Sequence, residues 1–439
     1  MNIVWLKRDL RLKDHQPLLD AASAGETLIL YVVEPSVWKS SGMSKRQLRF
    51  VIQGLEDVKI QLENIGGRLA FYIGEMNEVL SLLAHTYGVF HLWSYCEGGS
   101  TLLNHRNAFV KEWIQEKGFY YSEIEQYEKL RKKQWLEKMN QPIKSLPRKI
   151  FSPKELPIGF FEDVKSLFRF EKLLQGELIV FGEQGGEKNA EDTLKLSLKA
   201  EDLFYRLTSY LAWGNISSRM IWQKVSEVQS SQDSAVHPFL EQLFAREMLL
   251  ATSNLGSISM EQPVQRVEKQ IDSKELVNWE QGKTGFPIID AIMRSLQKTG
   301  HIEEELKEIV VSFAHHFLLL QKEQIGFSLA KMLIDYDPPS HWAKLNQYVK
   351  RSPLMHTIKT GKKIDPHGEF IKRHVIELKQ IPAKYTHEPW LYPGFFALNY
   401  PSPVFDYHKE FSKAKRVRSS QKKTDLSMGE NSSQLTLDI

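Results

Sequence analysis

The sequence predicts a two-part chain, an N-terminal α/β domain built on a parallel five-stranded sheet followed by an all-α domain. Three observations carry that prediction. Up to residue 124, short apolar runs rich in β-branched and aromatic residues (IVWLK, TLILYVV, RLAFYI, VFHLWS, FYYSEI) alternate with amphipathic helical stretches. That alternation marks parallel strands joined by crossover helices that cover both faces of a sheet. From Glu201 onward only the helical period remains, and between the two regimes Pro142, Pro147, Pro153, Pro157 and the run FGEQGGEKN break any pattern.

In chain order, the first strand spans residues 2–7 and enters a charged segment, Arg8-Asp9-Leu10-Arg11-Leu12-Lys13-Asp14-His15, before a helix carrying Leu18, Leu19 and Ala22. Strands follow at 27–33, 68–73, 89–94 and 119–124. The clearest helix opens at Ser44 with Gln47 three residues on, a capping-box pattern, and carries Leu48, Val51, Ile52, Leu55, Val58, Leu62 and Ile65 on one face. We place the α/β domain at 1–128, a connection at 129–200 and the helical domain at 201–408. The tail, 409–439, is basic and then polar, a composition that predicts disorder. Within the helical domain, Gly282 and Gly285 feed Pro287, suited to a first helical position, and the helix runs to a stop at Gly300.

The 439 residues suffice for two or three domains, and 42% hydrophobic with 26% charged residues is ordinary for a globular protein. One cysteine, Cys96, excludes an intramolecular disulfide and a cysteine-based metal cluster, and no metal site is expected. The N-terminus lacks the apolar core of a signal peptide. The most apolar run, Ile309 to Leu320, is too short to cross a bilayer and contains His315 and His316. A cytoplasmic protein without membrane contact is expected, with a monomer favoured. A net charge of +4 does not by itself identify a nucleic-acid binder. Lys344, Lys350, Arg351, Lys359, Lys362, Lys363, Lys372 and Arg373 nevertheless crowd one late segment. It reads equally as a field for DNA phosphates or as a solvated basic face.

The run WEQGKTGFPIIDAIMRSL, from Trp279 to Leu296, resembles the flavin-pocket signature of the DNA photolyase and cryptochrome family. Lys7 to Asp14 is similar to the motif that opens the family's antenna domain, which implies a Rossmann-like sheet. It also admits a second, antenna chromophore of folate or deazaflavin type at the strand ends. Tyr205 to Arg219 is similar to the run that cradles the FAD diphosphate, which would put Leu207 and Thr208 against the cofactor. Leu243-Phe244-Ala245-Arg246-Glu247 resembles Leu-Ile-Trp-Arg-Glu, making Arg246 a flavin-contacting cation. Ala245 stands where repair enzymes stack a tryptophan on the lesion, an interaction worth ~1–3 kcal/mol per base. Gln242 stands where they often carry a glutamate.

Asp335-Tyr336-Asp337-Pro338-Pro339-Ser340-His341-Trp342 resembles Asp-Tyr-Glu-Pro-Gly-Ile-His-Trp of one branch. The resemblance implies that Asp335 and Asp337 accept from the flavin ring and its arginine partner, and that His341 lies at the cofactor. Asp365 to Arg373 and His387 to Trp390 match the same branch. The largest departure follows Gly300. There Lys307 takes the place of an arginine beside the flavin, and Glu303, Glu304 and Glu305 either oppose the cofactor or charge an exposed helix start. Trp342 is a candidate electron-relay residue, but Lys322 falls where a middle tryptophan is expected, with Tyr348 as a stand-in.

The resemblance implies FAD as cofactor and blue-light-driven electron transfer to pyrimidine dimers in DNA, with Gln242, Lys344, Lys350 and Arg351 as DNA contacts. Two alternatives stay open. One is a photoreceptor without repair, favoured by Ala245; the other is a diverged homologue that has lost flavin, favoured by Glu303 to Glu305 and Lys307.

Overall fold

The structure, a computed structural model, describes all residues except 41, 99–100, 179–181, 230–237, 255–272, 352–356, 407–408 and 410–439. Apart from Lys409, the expected disordered tail lies outside the described residues. The chain divides into two compact units. The first comprises Met1–Val264, Lys298–His301 and Leu329–Ala343. The second comprises Gln265–Gln297, Ile302–Ser328 and Lys344–Ile439.

The first unit is organised on β1 (Asn2–Leu6), β2 (Thr27–Val33), β3 (Leu69–Ile73), β4 (His91–Tyr95) and β5 (Tyr120–Ile124), all parallel in the order β3-β2-β1-β4-β5. Every residue of β1 and β2 is buried, as a central parallel strand covered on both faces requires. Crossovers α1 (Gln16–Ala24), α2 (Lys45–Glu63), α3 (Met76–Tyr87) and α4 (Thr101–Glu116) supply the cover. Ile3, Trp5, Leu28, Leu30, Leu80, Leu83, Leu92 and Val110 form the core of one face.

The turn after β1 is buried rather than a solvated loop. Asp9, Leu10, Arg11 and His15 are each at most 2% exposed. His15 accepts the Leu18 N–H at the start of α1 through Nδ1, and its Nε2 meets Asp9 Oδ2 at 2.8 Å. Later helices of this unit are α5 (Leu207–Ala212), α6 (Ser218–Gln229) and α7 (Pro238–Asn254). The turn closing α5 packs on the β1 turn: Leu10 N donates to Trp213 O, Asn215 Nδ2 to Leu10 O, and Arg11 Nη1 to Gly214 O. Gly214 has φ +69°, and a Cβ there would stand 2.2 Å from Arg8 O, so no other residue fits.

Gln47 behaves as the capping box predicts, accepting the Ser44 N–H at 2.6 Å. Its Nε2 also donates to Ala330 O and Leu333 O, tying the 329–343 segment to α2. The stretch expected as an unpatterned connection carries helices at Lys132–Met139 and Glu187–Ser197. In the second unit, α8 (Pro287–Thr299) starts at the predicted proline, and α9 (Glu304–His316) buries Ile309 to Ala314. Helix α10 (Pro338–Arg351) starts in the first unit and ends in the second. Among the described residues no helix is long and apolar enough to cross a membrane.

Candidate functional site

In the first unit the structure brings Arg246 and Asp337 together. Arg246 projects from α7, and its Nη2 reaches Asp337 Oδ2 at 3.1 Å and Leu211 O at 3.2 Å. Its guanidinium lies 5.8 Å from the centre of the Tyr127 ring. Burial pushes the Tyr127 hydroxyl above its ordinary pKa, so it stays neutral beside the cation. The Nη1 of Arg246 is buried and has no hydrogen-bond partner among the described residues. Asp337 also accepts from Ser340 Oγ at 3.2 Å, which fixes the carboxylate at the start of α10.

The other expected residues of this unit divide. Leu207 is buried and Thr208 half-buried. The Thr208 hydroxyl already donates to Tyr205 O at 2.7 Å, so its remaining capacity is as an acceptor. Asp335 is half-buried. His341 is buried, with its ring edge-on to Tyr336 and Trp342 at 5.1 and 5.5 Å. Trp342 Nε1 donates to the Tyr336 hydroxyl at 3.3 Å. Gln242 and Ala245 are both exposed on α7. One residue later in sequence than Arg246, Glu247 is buried and accepts from Trp135 Nε1. Burial pushes its carboxyl above the ordinary range, against the bonds from Ser218 and Trp135 that pull it down. Nothing in the sequence signalled that Glu247 is buried, because its partners come from distant helices.

In the second unit the glutamates after Gly300 part company. Glu303 and Glu305 are exposed. Glu304 Oε2 meets Lys344 Nζ at 2.9 Å and Lys307 Nζ at 3.9 Å, and the Tyr348 hydroxyl donates to Oε1. Lys344 and Tyr348 are four apart on α10 and therefore share a face. Lys307, expected at the flavin, and Lys344, expected at DNA, thus both have a carboxylate partner. Lys322 donates to Asn346 Oδ1 at 2.9 Å, and Lys350 is exposed. The Arg351 side chain lies outside the described residues.

The signature helix α8 owes its geometry to Asp290. Buried, it accepts Thr284 N, Thr284 Oγ1, Gly285 N and the Tyr400 hydroxyl. Burial raises the Asp290 carboxyl pKa against those bonds. Trp279 is fully buried. This part of the signature builds the turn that starts the helix.

At the C-terminal ends of the strands, Arg106 Nη1 bonds Glu34 at 2.7 Å and Nη2 bonds Glu97 at 2.9 Å, and Arg8 Nε lies 3.7 Å from Glu97. Among the described residues no group of three or more His, Cys, Asp or Glu could hold a metal ion.

Comparison with known proteins assigns this architecture. The family model described as FAD binding domain of DNA photolyase matches residues 237–420, and the one described as DNA photolyase matches 2–126. The chain belongs to the photolyase/cryptochrome family. It is 26% identical over 470 residues to the deoxyribodipyrimidine photo-lyase of Escherichia coli K12, covering 93% of this chain and 96% of that one. Among solved structures it is similar to the Synechocystis sp. PCC6803 cryptochrome, with a TM-score of 0.79 at 20% identity over 95% of this chain and 98% of that chain. It is also similar to an archaeal photolyase from Sulfolobus tokodaii with two FAD molecules, with a TM-score of 0.72 at 22% identity over 96% of this chain and 100% of that one.

The region from 237 to 420 is thus an FAD-binding domain by family, and the first-unit residues fit such a group. A half-buried guanidinium whose buried Nη1 has no partner among the described residues offers a donor to an anionic or carbonyl oxygen, and Asp337 holds that guanidinium in place.

Proposed function

We propose that this protein holds FAD through Arg246, Asp337, Asp335, Leu207, Thr208 and His341, and splits pyrimidine dimers in DNA when illuminated. FAD, when bound, supplies the light-driven electron transfer; the chain's residues bind, orient and exclude water. The observation that carries the reading is the match of the FAD-binding domain across the segment containing Arg246, Lys307, Asp335 and Asp337. The Arg246–Asp337 pair supports it, because a carboxylate that fixes one edge of a guanidinium pre-orients the other edge for a ligand.

DNA is the partner in this reading, reached from the exposed face of α7 with Gln242 and from the exposed Lys350. A cytoplasmic location accords with it. The α/β part (1–128) would serve as scaffold, 129–200 as connection and 201–408 as the cofactor and DNA domain.

A second reading has its own observation. Ala245 is exposed on α7 and presents a methyl group where a stacking ring would grip a flipped base. That favours a light-responsive protein that does not repair.

Binding to ultraviolet-irradiated and unirradiated oligothymidylate, followed by fluorescence anisotropy on the FAD-loaded protein, tests the choice. The repair reading expects tighter binding to the irradiated strand, and Ala245→Trp to widen the gap by about five- to a hundredfold, the affinity equivalent of ~1–3 kcal/mol. Equal affinity for both strands in wild type and variant would favour the second reading.

A further inference from the structure

A parallel sheet of this kind ordinarily takes ligands at its C-terminal edge, and the Sulfolobus tokodaii neighbour is described with two FAD molecules. We infer that in this chain the crevice at the strand ends takes no second chromophore and works instead as a clamp on the helical part of the first unit.

The crevice is filled from two sides. From the helical side, Trp213 lies against Trp38 with ring centres 5.9 Å apart and planes 11° from parallel. The Arg8 guanidinium sits 4.2 Å from the same indole, stacked where a flat heterocycle would otherwise lie. From the sheet side, Arg106 spans Glu34 and Glu97 and lies 4.8 Å over the Trp5 ring. Between Trp5, Arg8, Glu34, Trp38, Arg106 and Trp213 a cavity of only about 40 Å³ remains. Pockets for flat heterocycles of this size run to about 300–1,000 Å³.

Opening the crevice would break contacts that hold the unit together. Arg8 Nη1 donates to Ala212 O at 3.2 Å and to Tyr336 O at 2.9 Å, so one side chain from the end of β1 ties the close of α5 to the 329–343 segment. Trp213 Nε1 donates to Ile334 O at 2.9 Å, a second tie to that segment. A chromophore would have to lift Arg8 from the indole and separate Arg106 from two carboxylates, one of them only 4% exposed. Leaving such a carboxylate buried and unpaired is strongly unfavourable. The residues that make the sheet edge polar enough to attract a ligand are the residues that close it.

The test counts chromophores. The full-length protein is reconstituted with excess FAD, FMN, a deazaflavin and a reduced folate, then desalted and heat-released, and each compound is quantified per chain. One FAD per chain and none of the others is expected. A second compound at one per chain, or two flavins per chain, overturns the inference and leaves the proposed function standing. No bound compound at all supports the closed crevice and overturns the FAD reading, so the two fail separately. Trp38→Ala and Arg8→Ala each remove part of the filling and should tighten FMN binding at least tenfold by equilibrium dialysis. Soluble variants that gain nothing would contradict the assignment of those side chains as the filling, and the wild-type count stands whether or not the variants fold.

Discussion

Gly214 and Glu247 show how single residues set the conditions for this fold. At Gly214 a positive φ coincides with a backbone carbonyl 2.2 Å from where a Cβ would go. Gly214→Ala should therefore destabilise the protein by about 2–4 kcal/mol, from strain and overpacking together, read as a lower urea midpoint; an unchanged midpoint would mean that the β1 turn can give way. Glu247 has a carboxyl pKa raised by burial. A raised carboxyl contributes stability that is fully present below its unfolded pKa and is lost as pH rises through the folded value. Glu247→Gln does not titrate, so its melting temperature relative to wild type should climb from pH 4 to pH 8, and a flat difference would contradict the assignment. Residue types at the candidate site were legible in sequence; pairings were not. Arg246 and Asp337 stand in separate motifs whose likeness to a family suggested both residues, but only packing shows that they bond to each other. The engagement of Lys344 by Glu304 was equally hidden, since a run of three glutamates does not say which one turns inward.

At the scale of elements the sequence was more explicit. All five strands lie within two residues of their predicted bounds, because apolar β-branched runs between helical repeats have few other ways to be buried. The helix at Pro287 and the capping residue Gln47 were legible for the same local reason, whereas the bonds from Gln47 to Ala330 and Leu333 are long-range and left no local mark. The helices at Lys132–Met139 and Glu187–Ser197 were missed because prolines and glycines around them masked short periodic stretches. In the signature helix, the conspicuous glycines, threonine and aspartate build one turn. Asp290→Ala would strip an acceptor from four buried donors and should cost about 3–5 kcal/mol, with Asp290→Asn losing less; chemical denaturation of both variants checks this. Equal stability of Asp290→Ala and wild type would return the signature to a purely cofactor role.

For the whole molecule, the family fixes an FAD-binding domain, and the structure supplies a half-buried arginine with a buried Nη1 donor to offer it. Arg246→Ala should weaken FAD retention at least tenfold, as the loss of a charge-assisted contact worth about 1.5–3 kcal/mol implies, measured by flavin fluorescence on dilution. With the strand-end crevice closed, the action spectrum should follow bound flavin alone. The measurement that tests the central claim most directly is repair itself: ultraviolet-irradiated oligothymidylate incubated with the FAD-loaded, reduced protein under blue light and in darkness, with dimers counted by chromatography. Loss of dimers in light and none in darkness is the predicted result. Dimers that persist equally in both, with flavin demonstrably bound, would contradict repair and leave a flavoprotein of this family with a different task.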